Sequence, residues 1–285
     1  MEVAIIERIG RDTLGEGPVW DEIRGELLWV DIVGQTVHRF DPLTGVHHSL
    51  ILSEPIGWVL PQKGSRKLVA GLRSGFAMLD LEDGSSRLFG EPETDRQNNR
   101  LNDAKVDRWG RIWAGSKNDV DDSATGALYR LDTDCRWERL DDGYGVTNGP
   151  TFSLDGSTLF HTDSAARQVY AFDLSPEGTL ANKRVWVEFD QAWGYPDGMT
   201  TDSEGCIWIA HWDGARVSRF APDGALMRSV EMPATNITSC AFGGEGLDRL
   251  FVTSSTLGRE DEEHAGKLFE IDAGVTGLVG HRFGK

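Results

Sequence analysis

Apolar residues along this chain come in short runs of alternating or β-branched character, broken by turns containing Gly and Asp. Nowhere do they show the 3.6-residue spacing of an amphipathic helix. The same unit recurs: an apolar strand with an aromatic or β-branched centre, a polar gap, then a second strand. It reads ELLWVD then HRFD from Glu26, KLVAG then FAMLDL from Lys67, and RIWAG then ALYRLD from Arg111. It returns as TLFHTD then VYAFDL from Thr158, CIWIA then VSRF from Cys206, and RLFVT then LFEID from Arg249. With Leu28, Leu68, Ile112, Leu159, Ile207 and Leu250 as equivalent anchors, the unit repeats about every 40 to 48 residues, the length of one four-stranded propeller blade. Asp83-Gly84, Asp155-Gly156 and Asp223-Gly224 supply tight turns between strands. The pattern predicts an all-β protein, a six-bladed β-propeller forming a single domain over residues 1–285. The unpartnered segment Val3 to Ile6 is expected to pair with the last blade and close the ring, removing an open sheet edge.

Composition changes this picture little. A content of 39% hydrophobic and 26% charged residues is that of an ordinary globular chain, and 34 glycines and 10 tryptophans fit turns and aromatic strands. Trp29, Trp113 and Trp208 occupy the same place in three units, which predicts packing between blades. Charge excludes more: 46 acids against 29 bases leave a net charge of −17, which argues against a nucleic-acid partner. No basic and apolar leader and no run of about 18 apolar residues is present, so no membrane association is expected, and a cytoplasmic location is. Cys135, Cys206 and Cys240 lie far apart with no CxxC pair and are expected to be reduced thiols.

The repeat also locates a site. About ten to twelve residues before each anchor, the innermost strand should begin at one end of the central channel. The residues delivered there are Glu16, Ile56 or Gly57, Asn102, Asn148, Asp197, and Asn236 or Thr238. Glu16 and Asp197 on separate blades would repel across a narrow channel unless a cation lay between them. Two carboxylates and an amide oxygen form a hard, oxygen-only set that suits a divalent ion. The seven histidines show no zinc-binding spacing, no GxSxG elbow occurs, and the glycine-rich Gly243 to Gly246 lacks the Lys of a P-loop. His161 and His211 are expected to be structural.

Five motifs carry a resemblance: LGEGPVW (Leu14 to Trp20), NNRLNDAKVD (Asn98 to Asp107), TNGPTFSLDG (Thr147 to Gly156), YPDGMTTDSEG (Tyr195 to Gly205) and TSCAFGG (Thr238 to Gly244). On these the chain resembles the SMP-30/gluconolactonase/luciferin-regenerating enzyme family over essentially its full length. The resemblance implies a six-bladed propeller with one divalent metal ion (Ca, Zn, Mg, Mn or Fe(II)) held by Glu16, Asn148 and Asp197. It further implies Asp197 as proton acceptor and donor, and Arg100 and Asn102 as substrate-binding residues. One departure stands out: where relatives usually read GTM, this chain has Gly115-Ser116-Lys117, and Lys117 would add a hydroxyl contact if it faced the channel. A further acidic contact in that loop has Asp119, Asp121 and Asp122 as loose candidates and is not assigned.

The expected function is hydrolysis of a small-molecule sugar lactone to the aldonic acid. The alternatives are a metal-dependent esterase or phosphotriesterase using the same ring, and a non-catalytic calcium-binding propeller.

Overall fold

The computed structural model describes residues 1–285 except Met1, Ile9, Asp121 and Asp122. Six four-stranded antiparallel sheets follow one another along the chain. Their inner strands are Gly15–Asp21, Ile56–Pro61, Asn99–Val106, Thr147–Phe152, Tyr195–Thr201 and Ile237–Gly243. Each inner strand contacts the inner strand of the blade on either side, and the sixth contacts the first, so the six form a ring around one axis. The N-terminal strand Val3–Ile6 pairs antiparallel with Leu268–Asp272 in the sixth sheet, in the register Val3 to Ile271 through Ile6 to Leu268. The last blade is thus built from both ends of the chain, which closes the ring as expected. Among the described residues the one helical element is a single 3-10 turn, Gln191–Trp193, capped by the Asp190 side chain.

The blades cohere through their inner faces. Trp29, Trp113 and Trp208 are fully buried, and each indole N–H donates to an aspartate carboxylate at 2.9 Å: Asp12, Asp107 and Asp202 respectively. Large rings fill the gaps between sheets, and the carboxylates satisfy the polar edge that this burial would otherwise leave unpaired. Trp208 packs in one cluster with Phe242, Leu250 and Val252 of the next blade, as the inter-blade reading requires.

All six inner strands break register at the equivalent place: between Glu16 and Val19, Ile56 and Trp58, Leu101 and Ala104, Asn148 and Thr151, Pro196 and Met199, and Ile237 and Ser239. A β-bulge bends the strand and re-aims the side chains beside it. Glycine makes the bulges possible where strands crowd the axis. Gly149 has φ +39°, and a Cβ there would come within 2.7 Å of Met199 N and 3.0 Å of Asp197 O in the neighbouring blade. A Cβ on Gly57 would lie 2.6 Å from Leu101 O. The glycine that follows the site position is therefore dictated by close approach of the next strand.

Candidate metal centre and substrate mouth

Glu16, Asn102, Asn148 and Asp197 all sit on these bulges and are all buried. Arg100 begins a chain of directed hydrogen bonds that crosses three blades. Its Nη1 donates to Asn102 Oδ1 at 2.6 Å, and Asn102 Nδ2 donates to Asn148 Oδ1 at 2.8 Å and to Thr147 O at 2.7 Å. Asn148 Nδ2 donates to Ser164 Oγ at 2.9 Å, and Ser164 Oγ donates to Pro196 O at 2.6 Å, next to Asp197. A guanidinium can only donate, so Arg100 fixes which end of the Asn102 amide faces it, and that amide fixes the next. Asn148 must present its carbonyl oxygen to the ring, where one lone pair remains after the bond from Asn102.

The carboxylates show the opposite condition. Asp197 Oδ1 is buried with no hydrogen-bond partner. Burial, then the neighbouring charges of Glu16 and Asp103, hold the Asp197 carboxyl well above the usual carboxylate range. Glu16, whose Oε2 accepts from Gly17 N at 3.0 Å, is pushed up to about 8 by burial and by Asp103. Two acids with too few donors, facing one another beside an inward amide oxygen, form a site short of positive charge. The donor set is hard and oxygen-only, so Glu16, Asn148 and Asp197 fit a divalent cation. Among the described residues no group of three or more His, Cys, Asp or Glu side chains could hold an ion, so this set depends on its amide.

Asp103 was not singled out by the repeat. It is a third buried acid, but its oxygens are taken by Ala104 N and Gly149 N, both at 2.7 Å, so it braces two bulges rather than facing the ring. The bulge between Leu101 and Ala104 sends the consecutive Asn102 and Asp103 to different partners, which simple alternation could not foretell. Asp103 lines a cavity of about 310 Å³ behind the site, together with Lys105, Trp58 and Cys240, and the C-terminal residues Leu278 to His281 lie along it. None of Glu16, Asn148 and Asp197 lines that cavity.

Arg100 Nε donates to Asp119 Oδ1 at 2.9 Å, which assigns Asp119 as the partner of Arg100; Asp121 and Asp122 lie outside the described residues. Lys117 pairs with Arg100 in register, and its Nζ lies 3.6 Å from Asp119 Oδ1. In the sixth blade Thr238 Oγ1 donates to Gly15 O at 2.6 Å and Asn236 Nδ2 to Leu257 O at 2.8 Å; both polar groups are spent on backbone.

The remaining expectations concern His and Ser. His161 is fully buried beside Tyr144 and is lowered to about 3 by burial, while His211 Nδ1 lies 2.7 Å from Trp193 O; neither enters the site. Ser49, His38 and Asp12 do meet at the edge of the first blade, with His38 Nδ1 2.9 Å from Ser49 Oγ. His38 Nε2 lies 3.1 Å from Asp12 Oδ1, while Asp12 Oδ2 pairs with Arg8 and accepts from Trp29 Nε1. That is a packing network joining the N-terminal segment to the first blade. No helix is long and apolar enough to cross a membrane among the described residues.

Comparison with known proteins agrees with this geometry. The family model described as "SMP-30/Gluconolactonase/LRE-like region" matches residues 14–256. A 6-deoxy-6-sulfogluconolactonase of Pseudomonas putida is 37% identical over 254 residues, covering 88% of this chain and 87% of the relative. A pentonolactonase of Haloferax volcanii is 36% identical over 278 residues, covering 93% and 92%. Regucalcin of Gallus gallus is 36% identical over 293 residues, covering 98% of each. Among solved structures, a luciferin-regenerating enzyme superposes with a TM-score of 0.94 at 30% identity, covering 100% of this chain and 99% of the other. With the motifs, the six-bladed ring and the family match in accord, the chain belongs to the SMP-30/gluconolactonase/LRE-like family.

Proposed function

We propose that this protein is a metal-dependent sugar lactonase that opens the ring ester of an aldonolactone to the aldonic acid. The observation that carries the reading is the partnerless, buried Asp197 Oδ1 beside Glu16 and the orientation-locked Asn148. Relatives more than 30% identical over most of the chain are named as lactonases of sugar acids, which supports the substrate class.

A divalent ion held by Glu16, Asn148 and Asp197 would supply Lewis-acid polarisation of the lactone carbonyl. The protein's own groups do the rest. Asp197 accepts the proton of the attacking water at a carboxylate oxygen and returns it to the departing ring oxygen. Arg100 and Asn102 orient the sugar hydroxyls by directed hydrogen bonds, and Asn102 Oδ1 keeps a second lone pair for this purpose. Through Asn102, Arg100 also holds Asn148 in its inward orientation. Glu16 contributes charge at the base of the ring.

The test is a pH-indicator assay across sugar lactones, aryl esters and phosphotriesters. It uses chelated protein with Ca²⁺, Mg²⁺, Mn²⁺, Zn²⁺ or Fe²⁺ added back. The expected result is lactone opening that depends on one or more of these ions. Turnover of aryl esters or phosphotriesters alone would replace the substrate class, and ion binding without any turnover would make the protein a binding propeller.

A further inference from the structure

The propeller leaves one sheet edge per blade on its rim. The outer strands are Val46–Ile51, Ser86–Gly90, Trp137–Tyr144, Leu180–Glu188, Leu226–Glu231 and, in the sixth blade, Val3–Ile6. An edge strand carries N–H and C=O groups that another strand can join, and proteins guard such edges with charge or with brevity. Five of these six are guarded. Arg87, Arg139 with Asp141, Lys183 with Arg184, and Arg228 stand near the middle of four of them, and Val3–Ile6 has four residues set between Glu2 and Glu7. Val46–Ile51, which reads VHHSLI, has six residues and no Lys, Arg, Asp or Glu.

This strand is uncovered as well. Leu43, in the turn that leads into it, and Ile51 at its end are 85% and 77% exposed, the two highest values among the exposed large hydrophobic residues described. Val46, His48 and Ser49 are exposed between them. The free backbone groups follow from the register. The strand pairs with Thr36–Asp41 from Thr36 opposite Ile51 to Asp41 opposite Val46, and Leu52 N donates to Gln35 O in the same register at 2.8 Å. Bonded and non-bonded pairs alternate in an antiparallel ladder, so His48 and Leu50 bond inward, while His47, Ser49 and Ile51 turn N–H and C=O to the rim.

Charge decides what can join there. The chain carries −17, so two copies repel wherever acidic surface meets acidic surface. In a two-fold contact an edge meets itself, and a charge near its middle is set against its own copy. Val46–Ile51 is the one outer strand longer than four residues whose self-pairing opposes no like charges. We infer that this strand is a homodimer interface, in which two copies join edge to edge, antiparallel about a two-fold axis at Ser49, so that their first blades form one eight-stranded sheet. In that register Ile51 of each copy lies opposite His47 of the other, and the three outward residues of each strand are all paired. The interface lies on the rim, away from the axial metal site, and does not depend on the lactonase reading.

The experiment is sedimentation velocity with light scattering on the full chain from about 1 to 200 μM, at low and high salt. The expected species at the upper end has twice the 31.5 kDa mass of the chain. Association should tighten as salt is raised, because the joined edges are uncharged while the surfaces around them repel. Ile51→Lys, at a position with no partner in the fold, and Ser49→Lys, which sets like charge against like on the axis, should each weaken association at least about tenfold. Leu226→Lys, on the outer strand of the fifth blade, should leave it unchanged. Amide hydrogen exchange at His47, Ser49 and Ile51 should slow with concentration in wild type and not in the two disrupting variants. A monomer at about 200 μM in high salt overturns the inference. So does a dimer that survives both of those variants, or one whose concentration-dependent protection falls on another edge.

Discussion

Asp197 and Asp202 lie five positions apart in the fifth blade and are both buried, at 4% and 0% exposure, yet they live in opposite surroundings. Asp202 is saturated: Oδ1 accepts from Glu204 N and Cys206 N, and Oδ2 from Trp208 Nε1 and Arg219 Nε at 2.9 and 2.7 Å. Asp107 repeats that pattern in the third blade with Trp109 N, Arg111 N, Arg111 Nε and Trp113 Nε1. Asp197 has an oxygen with no donor at all and two other acids for neighbours. Burial is common to both, so burial does not mark the site. The count of donors does: a filled carboxylate ties a turn to a tryptophan, whereas an unfilled one waits for a cation.

The largest expected contrast comes from removing each acid. Asp197→Asn should lower lactone turnover by about 10³-fold or more, because a proton-transfer group and a candidate metal ligand go together. Its thermal midpoint without ion should stay level or rise, since an unpaired buried carboxyl is lost. Asp202→Asn should do the reverse. Breaking a buried ion pair with Arg219 costs roughly 3–5 kcal/mol, read as a lower urea midpoint, while kcat per folded molecule is kept. A severe stability loss in Asp197→Asn with turnover retained would invert the comparison.

Arg100→Met sharpens the role of the amide chain. Removing the donor-only group loosens Asn102, which Thr147 O still orients while Ser164 Oγ still accepts from Asn148 Nδ2, so ion affinity should fall by no more than about 10-fold by calorimetry. An unchanged affinity would show that the amide orientation is set elsewhere.

The smallest effect is in the pH dependence of stability. Glu16 is raised from 4.5 to about 8 in the folded chain, so between those values the folded state holds a proton that the unfolded state has released. The contribution of Glu16 to the stability of chelated protein should therefore be fullest below about pH 4.5 and fall as pH rises toward about 8, read as the difference between wild type and Glu16→Gln. Glu16→Gln should flatten that decline, and so should a bound ion. A difference between wild type and Glu16→Gln that stays constant over the same interval would contradict the assignment of Glu16 as an acid short of donors.

Much of this was readable in the sequence because the repeat imposes it. A period near one blade, turns closed by Asp-Gly and a stray strand at Val3 to Ile6 suffice for a closed ring of six, and the same count places Glu16, Asn148 and Asp197 at one depth. Each of these three precedes or abuts a glycine that the crowded axis demands, as at Gly149. What pattern could not supply is pairing across blades. That Asp103 braces Ala104 and Gly149 follows from a bulge that breaks alternation. That Asp119 gathers Arg73, Arg100 and Lys117 depends on two loops from different blades meeting at the mouth.

The central claim, that a divalent ion is held by Glu16, Asn148 and Asp197, is tested most directly by the anomalous difference map of crystals soaked in Mn²⁺. The account predicts one peak on the channel axis in contact with oxygens of these three side chains, and its absence in Asp197→Asn crystals. A peak lodged instead in the rear cavity by Asp103 and Lys105, or no peak at saturating ion, would contradict it.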